Sequence, residues 1–147
     1  NLIFTGNSNR IGKCSNDDET TFSGQYAIII LDNCKKALLQ NVVADTFFSN
    51  HSIVSIENSM IGKIDSVTKI YSSRIKATTS EFLSSILSKN SRLDFANVKI
   101  TSNTHAINSA DINTVILSLS EIISPYYQNS VHGYYRLRQE PIESQLR

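Results

Sequence analysis

The sequence predicts an all-β fold in which short parallel strands stack rung on rung as a solenoid. Three observations carry that prediction. A short phrase recurs at a near-regular interval, apolar strands close on Asn and Ser with no hairpin dipeptides, and small neutral polar residues replace charge over much of the chain. A period near 18 residues is what a solenoid needs, because no single unit can bury its own apolar face.

In chain order, 1–24 reads as an irregular cap or lead-in, since Gly6-Asn7-Ser8-Asn9 and Ser15-Asn16-Asp17-Asp18 are turn chemistry. The texture changes at Gln25, where Tyr26 to Leu31 forms a continuous apolar run closed by Asp32-Asn33-Cys34. Strands buried on both faces of a parallel sheet give that signal. From there a phrase recurs: Leu38, Gln40-Asn41, Val43; Ile56, Asn58-Ser59, Ile61; Ile70, Ser72-Ser73, Ile75; Ser88, Asn90-Ser91, Leu93; Ile107, Ser109-Ala110, Ile112. The anchors that close each phrase lie 18, 14, 18 and 19 residues apart. Aligned this way, Leu38, Ile56, Ile70 and Ile107 are expected as one interior column, with Ser88 out of character in it. Asn41, Ser59, Ser73 and Ser91 are expected as a polar ladder at one bend.

Within the solenoid, Thr79 to Leu87 admits two readings. Phe82, Leu83, Ile86 and Leu87 fall at helical spacing behind a Thr79 cap, yet a strand fits equally. An antiparallel sandwich also suits Ser-rich β sequence, but 25–123 holds no Asn-Gly or Asp-Gly. The solenoid is therefore assigned to 25–123. Ser124-Pro125 ends the rhythm, and 124–147 reads as a Tyr-rich tail or oligomer-contact arm around Tyr126-Tyr127 and Tyr134-Tyr135.

Composition narrows the function classes. A net charge of +1, from 14 basic and 13 acidic residues, argues against a nucleic-acid surface. No apolar run approaches the roughly 20 residues that span a bilayer, so no membrane insertion is expected. The opening Asn1-Leu2-Ile3-Phe4 has no basic n-region and no h-region, and a start at Asn suits a trimmed product or a piece of a longer chain. Ser (22 residues) and Asn (14 residues) supply the missing polarity, which disfavours helices and suits turns and strand edges. Cys14 and Cys34 either pair or sit as two small buried residues, and the redox compartment stays open. His51, His105 and His132 match no metal signature, and neither a phosphate loop nor a nucleophile elbow is present. No cofactor is expected.

The Ile-x-x-Asn-Ser-x-Ile phrases at this period, with Leu31-Asp32-Asn33-Cys34 closing an apolar strand, resemble the right-handed parallel β-helix superfamily. That group holds pectate-lyase-like polysaccharide lyases and hydrolases and the tailspikes of bacteriophages. The resemblance covers roughly 25–123. It implies a single-stranded right-handed β-helix of about five to six rungs and a cell-surface or extracellular polysaccharide as partner. It also implies a homotrimer and an extracellular or virion-surface setting. No catalytic motif of any subgroup matches residue by residue, so whether the chain is an enzyme, and then a polysaccharide hydrolase or lyase, is left open.

A glycosidase needs two carboxylates about 5 to 9.5 Å apart. Asp45 and Asp65, each shortly after an anchor, are the pair most able to share a face of neighbouring rungs. Arg74 and Arg92 both precede their anchors by one residue and so should stack, where two guanidiniums could read a glycan carboxylate. Tyr71 is the one mid-solenoid tyrosine available to stack on a sugar, and Trp is absent. The alternative function is a non-catalytic structural or adhesive solenoid, a fibre or spike segment that assembles through its C-terminal tail.

Overall fold

The structure, a computed structural model, describes residues 2–8, 14, 19–110, 113–125 and 132–138, and for 2–8, 110 and 132–138 it describes the backbone alone. Twelve strands form one sheet wound into a β-solenoid of about six turns: β1 Leu2–Ser8, β2 Thr20–Asp32, β3 Ala37–Asn50, β4 Ile53–Glu57, β5 Met60–Ile61, β6 Val67–Tyr71, β7 Arg74–Phe82, β8 Ser85–Lys89, β9 Arg92–Thr101, β10 Ile107–Ala110, β11 Thr114–Ile123 and β12 His132–Arg138. Every strand pairing is parallel. The all-β solenoid expected from the sequence is therefore present, and no described residue is helical. Thr79 to Leu87 is not helical: 79–82 close β7, 85–87 open β8, and 83–84 form the corner between them.

Each full turn has three extended stretches. Face A holds 37–40, 53–57, 74–78, 92–96 and 114–118; face B holds 42–44, 60–61, 80–82, 98–101 and 120–123; face C holds 46–50, 67–71, 85–89 and 107–110. Stacked strands lie about 4.8 Å apart, so like positions pile into columns. On face A one column is Phe22, Leu39, Ile56, Ala77, Phe95 and Leu117, all buried. On face B it is Tyr26, Ala44, Ile61, Phe82, Ile100 and Ile122, also all buried. Burying each such Ile, Leu or Phe contributes about 2 kcal/mol, the main term opposing chain entropy.

The register corrects the predicted columns. Leu38 is half-buried and pairs with Ser55, while Ile56 pairs with Leu39. Ile70 and Ile107 lie on face C, not under Ile56 on face A. The bend column divides as well: Asn41 and Ser59 turn from face A to face B, whereas Ser73 and Ser91 turn from face C into the next face A. The same phrase marks two different corners, and the 14-residue interval from Ile61 to Ile75 is the step from one corner to the other. Ser88 is buried on face C and donates to Asn113 Oδ1 at 2.8 Å, which explains a hydroxyl in an apolar wall. Ile112, the last anchor, lies outside the described residues.

Parallel strands also occur beyond 25–123. Leu2–Ser8 pairs with Thr20–Tyr26, placing Gly6-Asn7-Ser8 in a strand and not in the expected turn, and His132–Arg138 pairs with β11. Tyr126, Tyr127 and 139–147 lie outside the described residues. Cys14 and Cys34 form a disulfide with Cα atoms 5.4 Å apart. It ties the segment between β1 and β2 to the buried foot of a corner.

Candidate functional site: two axial grooves

Two corners of the solenoid are built by one device. At the A–B corner Asn41, Asn58, Thr79, Asn97 and Leu119 have φ between 47° and 55°, and at the C–A corner Asn33, His51, Ser72 and Asn90 do. A residue in the left-handed region directs its side chain outward and turns the chain, and Asn tolerates that region best among non-glycine residues. The N–H of the next residue then points along the solenoid axis, and a side-chain oxygen of the following rung accepts it.

At the C–A corner Cys34 N–H donates to Ser52 Oγ (3.0 Å), Ser52 N–H to Ser73 Oγ (3.1 Å), Ser73 N–H to Ser91 Oγ (3.1 Å), and Ser91 N–H to Asn113 Oδ1 (3.1 Å). Each serine hydroxyl donates in turn to the carbonyl two residues before it. At the A–B corner Val42 N–H donates to Ser59 Oγ, Ser59 N–H to Ser80 Oγ and Val98 N–H to Ser120 Oγ, at 3.0 to 3.1 Å. Across face A the left-handed positions fall seven residues apart, at 51 and 58, 72 and 79, and 90 and 97.

Outside each of these ladders runs a groove. The A–B groove encloses about 840 Å³ and crosses five rungs. Asn41, Asn58, Thr79, Asn97 and Leu119 line one side; Val43, Met60, Glu81, Lys99 and Glu121, in register along face B, line the other. Five rungs at about 4.8 Å give it a length of about 19 Å. The C–A groove encloses about 440 Å³ and is lined by His51, Ile53, Arg74 and Arg92 beside the Ser and Asn of the corner, with no carboxylate among the described residues of its lining.

The B–C corner differs in kind. It takes one residue, Asp45, in one rung, but 62–66, 83–84 and 102–106 in the next three, so it absorbs the variation in rung length. Gly62 is required there: its φ is +94°, its N–H donates to Ala44 O at 2.7 Å, and a Cβ would lie 2.8 Å from Ser84 Cβ.

Asp45 and Asp65 both lie at this corner, on consecutive rungs, each with its own partner. Asp45 pairs with Lys63 at 3.2 Å, and Asp65 Oδ1 accepts from Asn103 Nδ2 at 2.6 Å. Arg74 and Arg92 stack in register as the sequence reading requires and share the C–A groove. Arg92 is held by Asp94 through Nε at 2.8 Å and Nη2 at 3.3 Å, and Asp94 raises the guanidinium further above its ordinary value, by hydrogen bonding and then by charge. Tyr71 is half-buried, edge-on to Phe48 with centroids 5.3 Å apart, with Lys89 Nζ 5.5 Å from its ring centroid. It lies just before the C–A corner and is not part of the groove lining. The two aspartates therefore sit at a different corner from the two arginines.

Among the described residues no group of three His, Cys, Asp or Glu side chains is placed to hold a metal ion, and no helix is long and apolar enough to cross a membrane. Comparison with protein-family models, with curated proteins and with solved structures finds no match. The likeness to the β-helix superfamily rests on the rung pattern and the parallel solenoid.

Proposed function

We propose that the chain is a glycan-recognising β-helix segment of a tailspike or polysaccharide-depolymerase type protein, and that the A–B groove receives the glycan. The observation that carries this reading is an open groove along the solenoid axis with Asn41, Asn58, Thr79 and Asn97 at one position of four successive rungs. A polysaccharide is a linear array of hydroxyls with apolar C–H faces. An amide or hydroxyl every 4.8 Å or so, facing exposed Val43 and Met60, complements such an array over several sugar units. Arg74 and Arg92 are proposed as accessory contacts for an acidic substituent, beside Tyr71. Asp45 and Asp65 stay the proposed carboxylates if the chain cleaves its ligand. The disulfide favours an extracellular or virion-surface setting, because such bonds persist in oxidising compartments. A homotrimer is part of the same proposal.

A non-catalytic structural or adhesive solenoid is the second reading. It is favoured by the hydrogen-bond completeness of the scaffold: among the described residues every buried side-chain nitrogen and oxygen has a partner.

The test is affinity electrophoresis against a polysaccharide panel with the parent and with Asn58→Gly/Asn97→Gly. Glycine accepts the left-handed φ without strain, so the double variant removes two amides and leaves the corner intact. Retardation by at least one polysaccharide, weakened about tenfold or more in the variant, is expected. A parent that no polysaccharide retards, or a variant retarded as strongly as the parent, overturns the proposal and leaves the structural solenoid.

A further inference from the structure

Leu119 occupies the wrong kind of site for a leucine. It stands in the left-handed column at φ 48°, where a side chain other than Asn, Asp or Gly costs about 1 to 2 kcal/mol, and 81% of it is exposed. An exposed leucine recovers little of that cost by burial. Thr79, β-branched at φ 49°, is the other strained member of the same column, and both line the A–B groove. Backbone strain of this kind concentrates at ligand clamps. Three of the seven large apolar side chains that are exposed among the described residues, Val43, Met60 and Leu119, line that groove. Its charged side chains, Glu81, Lys99 and Glu121, alternate in sign along face B and give no excess of positive charge to draw a polyanion.

We infer that Leu119 is a specificity-determining ligand contact, and that with Asn97 it recognises an acetyl group on the glycan. The inference rests on the glycan reading of this groove. Asn97 and Leu119 occupy the same column on consecutive rungs, about 4.8 Å apart. An acetyl group carries its carbonyl oxygen and its methyl on one carbon, close enough for two side chains of neighbouring rungs to reach both: the Asn97 amide donates to the carbonyl while the Leu119 isobutyl group covers the methyl. A bare hydroxyl would meet only the amide.

The experiment uses Leu119→Gly and Leu119→Asn in the full chain, with urea unfolding and two pairs of ligands. One pair is O-acetylated glucomannan and its alkali-deacetylated form; the other is an N-acetylated chitooligosaccharide and its N-deacetylated counterpart. Both variants should be at least as stable as the parent, because each relieves the strain. Affinity for the acetylated member of at least one pair should fall about tenfold, the scale of burying a leucine side chain, with the deacetylated member unchanged. The pair that responds identifies the acetyl linkage. Equal affinity of variants and parent for both acetylated ligands overturns the inference, as does an equal loss on the deacetylated forms or a loss of stability. If Asn58→Gly/Asn97→Gly still abolishes binding when Leu119→Gly does not, the glycan reading stands and the acetyl assignment alone falls. If none of these ligands binds the parent, the acetyl assignment falls, and the glycan reading falls with it only if no polysaccharide of the panel retards the parent.

Discussion

At the C–A corner the hydrogen-bond ladder runs unbroken from Cys34 to Asn113, whereas at the A–B corner Val98 interrupts it between Ser80 and Ser120. The corners share a local device and differ in how completely they use it. The left-handed positions of the C–A corner are Asn33, His51, Ser72 and Asn90, all polar; those of the A–B corner include the β-branched Thr79 and the apolar Leu119. The more regular corner borders the smaller groove, and the strained corner borders the larger. A solenoid can concentrate its satisfied hydrogen bonds along one edge and accept local cost along another, and it is the second edge that presents varied chemistry outward.

The largest expected effect comes from breaking the continuous ladder. Ser73 Oγ accepts from Ser52 N–H (3.1 Å) and from Ser49 Oγ (2.9 Å), both buried, and donates to the part-buried Tyr71 O (2.8 Å). Ser73→Ala leaves two buried donors without that acceptor and should cost about 3 kcal/mol in urea unfolding. Ser80→Ala at the other corner strands the Ser59 N–H alone among such donors and should cost about 2 kcal/mol. Equal losses, or a larger one at Ser80, would show that the second donor, Ser49, does not set the C–A corner apart.

That difference between corners is also why the sequence yielded the fold but not its register. Parallel rungs were legible because aliphatics recur at rung spacing and hairpin dipeptides are missing. The register was not, because Ile56-x-Asn58-Ser59-x-Ile61 and Ile70-x-Ser72-Ser73-x-Ile75 are the same chemistry at two different corners, and nothing local tells them apart. The stacking of Arg74 on Arg92 survived, since both follow the same corner. Asp45 and Asp65 share the B–C corner. Their engagement with Lys63 and Asn103 depends on how the variable B–C segments fold back, and Asp65 reaches a partner 38 residues away. The long groove was missed because its lining comes from the left-handed residues themselves, which read in sequence only as turns.

A mid-sized effect should come from relieving strain at the irregular corner. Thr79→Asn puts a residue that tolerates φ 49° where a β-branched one now sits, and Thr79 lies exposed on the corner. It should raise stability by about 1 kcal/mol, and the reverse exchange, Asn58→Thr, should lower it by a similar amount. If Thr79→Asn lowers the urea midpoint, the threonine is held there by packing and the corner is not strained as argued.

The smallest expected effect, that of Val98→Ser, sharpens the comparison most directly, because it repairs the gap. Val98 is buried, pairs in register with Ser80, and stands where a serine would place a hydroxyl in line with the ladder. Val98→Ala removes methyl groups and supplies nothing, so it should cost about 1 to 2 kcal/mol. Val98→Ser removes the same apolar volume but adds an oxygen positioned to accept from the Ser80 N–H and to donate to the Ala96 carbonyl, as Ser59 and Ser120 donate to the carbonyls two residues before them. A hydrogen bond in this setting contributes about 1 kcal/mol net, which offsets most of the lost burial. Serine should therefore leave stability within about 1 kcal/mol of the parent and be the better of the two replacements, an inversion of the usual order at a buried aliphatic position. Should alanine prove the milder change, the interruption at Val98 is a feature the corner needs and not a gap in its ladder.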